Sequence, residues 1–176
     1  MYDQEPSVSD DPFGVSFENL PRDLPVFPLP GAMLLPYGRM PLNIFEPRYL
    51  KMVMDSLKQS RLIGMVQSRE LLLDPLPEEV DLFHVGCAGR ITSFTESEDG
   101  RFLITLKGIC RFKIKKELEG NGFYRRVSPD FSNFKKDLSN NTPAINRDDL
   151  LPLLKDYLKV KGIEIDIGDF IDIEDY

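Results

Sequence analysis

The stretch Leu24–Asp55, LPVFPLPGAMLLPYGRMPLNIFEPRYLKMVMD, decides how the chain is read. Val26–Leu29 and Leu42–Phe45 have the short apolar character of strands, and they bracket a Pro30-Gly31 turn and a Pro36-Tyr37-Gly38 loop. Pro28 and Pro41 have no N–H to give a ladder, so both belong at strand ends or on an edge. Pro47 suits the first turn of a helix, and Tyr49, Leu50, Val53, Met54 and Leu57 then fall on one face, which should plug one end of a small barrel. Before the helix the only acid is Glu46. The whole stretch lacks histidine, cysteine and serine, so it offers no nucleophile, base or metal site.

Outward from there, Leu62–Val66 reads as a strand and Asp74–Glu79, with two prolines and two glutamates, as an exposed loop. Val80–Thr95 and Phe102–Leu118 read as long strands joined through Glu96–Arg101, whose Asp99-Gly100 pair is a hairpin-turn signal. Gly86, Gly89 and Gly108 interrupt them as bulges or barrel corners would. Residues 1–23 read as an acidic, mostly flexible tail that docks only Phe17 and Leu20, and 132–146 as a polar linker. Residues 147–176 read as a helical segment in which Leu150, Leu151, Leu154, Tyr157 and Leu158 recur at helical spacing, with Pro152 tolerable only near the first turn.

Several blocks carry a family resemblance in order: LPVFPLPGAMLLPYGRMPLNIFEPRYLKMV from Leu24, LIGMVQ from Leu62, VGCAGRITSF from Val85, DGRFLITLKGICRF from Asp99 and YRRVSPD from Tyr124. Together they resemble the LON domain, the substrate-recognition module at the front of ATP-dependent Lon proteases, and most closely its stand-alone bacterial form. The resemblance implies an α+β fold, a PUA-like pseudo-barrel over residues 24–131 with one inserted helix, and polypeptide handling without catalysis. It also implies further helices after residue 147, so the segment ending at Tyr176 is expected to be truncated. A Lon protease would need a P-loop and a serine–lysine pair; no GxxxxGK[ST] occurs, and no enzyme activity is expected.

At 176 residues and 41% hydrophobic, the chain can bury one core plus a small appendage. No run of about eighteen apolar residues occurs and the N-terminus is acidic, so a cytoplasmic protein without membrane contact is expected. The net charge of −7 sits in the flanks: residues 1–23 hold six acids and one base, and 163–176 hold six acids and none, leaving a mildly basic body. Cys87 and Cys110 read as buried thiols. His84, three residues before Cys87, reads as a rim residue, and neither a metal nor another cofactor is expected.

Two surfaces compete as binding sites. Met33, Leu34, Leu35, Tyr37 and Met40 form a proline-flanked apolar loop suited to unfolded or flexible polypeptide segments, with a protease or chaperone in trans as a further candidate partner. An exposed strand edge near the prolines would add main-chain pairing. Arg111, Lys113 and Lys115 alternate along one strand and offer the alternative, an RNA-binding face, but no aromatic residues interleave with them and nucleic acid is the weaker expectation. A third reading is an adaptor whose contact surface lies in C-terminal helices beyond this sequence.

Overall fold

A computed structural model describes residues 15–69, 80–119, 123–139 and 147–162 of the chain. The chain divides into two compact units, residues 1–140 and 141–176. Among the described residues the first contains six strands, β1 (Leu24–Pro28), β2 (Arg39–Ile44), β3 (Leu62–Val66), β4 (Val85–Glu96), β5 (Phe102–Leu118) and β6 (Arg126–Asp130), with helix α1 (Pro47–Leu57) between β2 and β3. This is the mixed-sheet α+β architecture that the sequence leads one to expect.

β1 runs parallel to β3 and antiparallel to β6, while β3–β4, β4–β5 and β5–β6 are antiparallel, so these strands close on themselves. β2 stands outside that ring as an edge strand on the first part of β5, Arg39 opposite Lys107 through Ile44 opposite Phe102. Pro41 lies on this edge and Pro28 ends β1, where a missing N–H costs least. The 17-residue β5 thus changes partner along its length, pairing with β2 over Phe102–Lys107 and with β6 over Lys113–Leu118.

Two apolar clusters follow from strand alternation. One fills the ring around Phe112, with Leu24, Val26, Leu62, Ala88, Cys110 and Val127; the Phe112 ring occupies the space that a Cβ on Gly64 or Gly86 would need, at 2.8 and 2.9 Å. Phe17 and Leu20 pack against this cluster from the N-terminal side, as expected. The other lies between the sheet and α1, where Tyr49 meets Phe27 edge-on with ring centroids 4.4 Å apart.

The face of α1 differs from the expected one. Tyr49, Met52, Val53 and Ser56 are buried and Leu50 and Leu57 flank them, whereas Met54 is exposed on the side where Lys51 and Asp55 pair. A helix turns about 100° per residue, so centring the buried stripe on Met52–Val53 swings Met54 out. β4 begins at Val85 rather than Val80. Val80 and Leu82 are inward but Phe83, His84 and Val85 are all exposed, and with this break in alternation the described residues before the strand pair through the isolated Ser68–Leu82 bridge.

The expected linker is also partly something else. Ser132–Leu138 forms 3-10 turns, with Phe134 and Leu138 packed on the ring cluster and Asp137 buried, so the first unit continues past residue 131. Helix α2 (Arg147–Lys161) places Pro152 in its second turn rather than its first, which removes the main-chain bond to the carbonyl of residue 148. The expected tail before residue 15, the Asp74–Glu79 loop, linker residues 140–146 and the segment from Ile163 onward lie outside the described residues.

Candidate functional site

After β1 the chain is tied down step by step. Leu29 N–H donates to the Val66 carbonyl, Gly31 turns with φ +72°, and the Gln67 side-chain amide donates to the Ala32 carbonyl at 3.1 Å. Leu34 then inserts over Gly89 and Gly108, which are register partners across β4 and β5. A Cβ on Gly89 would lie 2.6 Å from Leu34 Cδ2, and one on Gly108 would lie 2.0 Å from the Leu35 carbonyl oxygen. Only glycine admits this approach.

Beyond the slot, Tyr37 N–H donates to the Gly108 carbonyl at 2.9 Å and Gly108 N–H donates to the Gly38 carbonyl at 2.8 Å. These bonds serve Gly108 at the point where β5 has left β2 and not yet reached β6. Tyr37 adopts a left-handed conformation, φ +65°, and its hydroxyl donates to the Ser139 carbonyl at 2.9 Å. An unfavourable backbone geometry is held there by bonds at both ends of the residue.

The five expected site residues therefore separate. Met33, Leu35 and Tyr37 are 65%, 55% and 48% exposed. Leu34 is a core residue at 5% exposure, and Met40 on β2 packs partly against the α1 cluster. Apolar composition alone does not reveal this split, because the loop alternates outward and inward residues and the inward one is selected by a glycine slot far away in sequence.

The basic strand face is largely neutralised. The Arg111 guanidinium makes two hydrogen bonds to Asp137, at 2.9 and 2.7 Å, and its own N–H donates to the same carboxylate at 3.0 Å. These contacts hold the Asp137 carboxyl below its ordinary range and push Arg111 further up. Lys115 pairs with Asp130 at 3.6 Å, and Lys113 is exposed. Sequence reading missed Asp137 because it falls in the polar segment taken for a linker.

Burial pushes both thiols, Cys87 and Cys110, up to about 12, so neither is a nucleophile at neutral pH. His84 is exposed, and among the described residues no three His, Cys, Asp or Glu side chains converge as a metal site would require.

Residues 23–161 match the family described as the ATP-dependent protease La (LON) substrate-binding domain. The chain belongs to this LON substrate-binding family. It is 25% identical over 103 residues to a Lon protease of Anaeromyxobacter dehalogenans and 28% identical over 102 residues to one of Buchnera aphidicola. Each alignment covers 58% of this chain but only 12% and 13% of the protease, so the chain spans about an eighth of the length of those relatives. The similarity is to the N-terminal domain and not to the catalytic one. A Lon N-terminal domain protein from Xanthomonas campestris has the same fold, with a TM-score of 0.53 and 24% identity over 78% of this chain and 73% of that one. No helix among the described residues of the LON domain is long and apolar enough to cross a membrane.

Proposed function

We propose that this LON domain is a non-catalytic polypeptide-recognition module that binds flexible apolar segments through Met33, Leu35 and Tyr37. One observation carries the reading: the loop is pinned from beneath by Leu34 and by two main-chain bonds at Gly108, yet holds three large apolar side chains in solvent. A loop needed only as a connection gains nothing from that arrangement, whereas a preorganised apolar surface binds with little ordering cost. Burying side chains that are already half covered is worth about 1–2 kcal/mol each, which places single-segment affinities in roughly the millimolar to micromolar range. Weak, sequence-tolerant capture of this kind suits delivery to a protease or chaperone acting in trans. With Arg111 and Lys115 paired to carboxylates, the RNA-binding face at Arg111, Lys113 and Lys115 is less well supported than the apolar loop.

The test is binding of a fluorescent unfolded polypeptide at low and high salt. Wild-type binding is expected to tolerate salt and to be lost in Leu35→Asp, while Leu34→Ala is expected to cost about 2–4 kcal/mol of stability instead. Full binding by Leu35→Asp would sink the assignment.

A further inference from the structure

β5 holds two segments that are far apart in sequence. Gly108 accepts from the Tyr37 N–H at 2.9 Å and donates to the Gly38 carbonyl at 2.8 Å. Three residues on, the Arg111 guanidinium grips both oxygens of Asp137, at 2.9 and 2.7 Å, and the Arg111 N–H donates to the same carboxylate at 3.0 Å. Beside it the Cys110 thiol donates to the Phe134 carbonyl at 3.4 Å, and the Arg111 guanidinium lies 4.9 Å from the centroid of the Phe134 ring. The 3-10 segment Ser132–Leu138 is therefore held in register on β5 at two of its residues.

That segment ends on the recognition loop. Ser139 turns both its N–H and its hydroxyl to the Lys136 carbonyl, at 3.2 and 2.8 Å, and its own carbonyl accepts from the Tyr37 hydroxyl at 2.9 Å. The contacts form a closed circuit: from the Tyr37 main chain to Gly108, along β5 to Arg111, across to Asp137, two residues on to Ser139, and back to the Tyr37 hydroxyl. Tyr37 is thus fixed at both ends, although its φ of +65° is disfavoured for a residue other than glycine and its ring is half exposed. A carboxylate at position 137 is not needed to close the core. Phe131, Phe134 and Leu138 already pack on the ring cluster, and an apolar side chain would add to them without desolvating a charge. What the forked ion pair supplies instead is a fixed distance and direction.

We infer that Asp137 is a positioning residue of the recognition surface: its grip on Arg111 sets the Ser139 carbonyl, which in turn sets the Tyr37 ring against which an apolar client segment packs. The inference rests on the polypeptide-recognition reading above and adds the residues that tune its affinity. A ring free to rotate must be ordered when the client arrives, whereas one already bonded at its hydroxyl binds without that loss. Linkage runs both ways, so a bound client also tightens the Ser132–Ser139 segment.

The test is binding of a fluorescent unfolded polypeptide to the full chain, well below the unfolding transition, for wild type, Tyr37→Phe, Asp137→Asn and the double variant. Each single substitution is expected to weaken binding roughly three- to fivefold, and the double variant to bind no more weakly than the weaker single one, because both act through one hydroxyl bond. Asp23→Asn is the control: it breaks the Arg126–Asp23 ion pair, so it is expected to lower the unfolding midpoint and leave affinity unchanged. Saturating polypeptide is expected to slow amide exchange at Phe134 and Ser139 in wild type but not in Tyr37→Phe. A merely structural Asp137 would lower the midpoint and leave the affinity of the folded protein at the wild-type value, which overturns the inference. Single effects that multiply in the double variant also overturn it. So does wild-type affinity in Tyr37→Phe, a change that removes one exposed hydroxyl and keeps the fold even if Asp137→Asn does not. If Leu35→Asp abolishes binding while Tyr37→Phe and Asp137→Asn leave it intact, the positioning inference fails alone; if wild type does not bind, the recognition reading falls with it.

Discussion

Gly108→Ala asks the most of the structure. The new Cβ would sit 2.0 Å from the Leu35 carbonyl oxygen and 2.8 Å from its carbonyl carbon, whereas real Cβ contacts essentially never fall under 3.0 Å. Both obstacles are main chain, so no rotamer change relieves them, and the loop must lift by about 1 Å. That movement stretches the Tyr37 N–H to Gly108 and Gly108 N–H to Gly38 bonds and draws Leu34 from its slot. Over-packing of this kind costs about 1–3 kcal/mol, and weakening two main-chain bonds adds about 1 kcal/mol each. The gain of about 0.4–1 kcal/mol from a stiffer unfolded chain offsets part of this, leaving a net loss of about 2–4 kcal/mol. Urea unfolding measures it, and amide exchange at Tyr37 and Gly108 reports whether the loop has lifted. Gly100→Ala is the control: φ is +78° but nothing lies within 4 Å, so only the left-handed backbone is penalised, by about 1–2 kcal/mol. A Gly108→Ala protein as stable as wild type, with the Tyr37 amide still protected, would show that the loop is not seated as described.

Two further expectations concern stability. Asp137 has a depressed pKa because the Arg111 guanidinium and N–H donate to it, so its contribution is complete above the unfolded carboxylate value near 4 and is lost as pH falls through the lower folded value. Asp137→Asn should therefore cost about 1.5–3 kcal/mol at neutral pH and flatten the acid limb of the stability profile; an unchanged acid limb in urea titrations across that range would contradict the pairing. Among the described residues the buried Ser56 hydroxyl on the packed face of α1 has no hydrogen-bond partner, so Ser56→Ala should raise stability by about 0.5–1.5 kcal/mol. A drop in thermal midpoint would mean that the hydroxyl is satisfied after all.

Local signals were legible where neighbours in sequence are also neighbours in space. The Asp99-Gly100 turn, the full extent of β5 and the start of α1 at Pro47 all belong to this class. So does the edge position of Pro41, since a missing N–H is a property of the residue itself. Leu34 and Leu35 were not separable by the same means. They are adjacent leucines in one loop, and what sends one inward is a gap left by two glycines more than fifty residues away. Arg111 likewise read as part of a basic strand face because its partner lies 26 residues on.

By itself the sequence determined the class of the protein: the order of apolar strands, prolines and turns that marks a LON substrate-binding domain, and a chain in which no P-loop occurs. The tertiary structure decided which surface is available. Periodicity states that two faces of a strand or helix differ, but whether a face is covered depends on long-range packing, as the α1 stripe centred on Met52 and the seating of Leu34 over Gly89 and Gly108 both show. Countercharge follows the same rule, because Coulomb attraction acts through space and takes its partner from whatever segment the fold brings near.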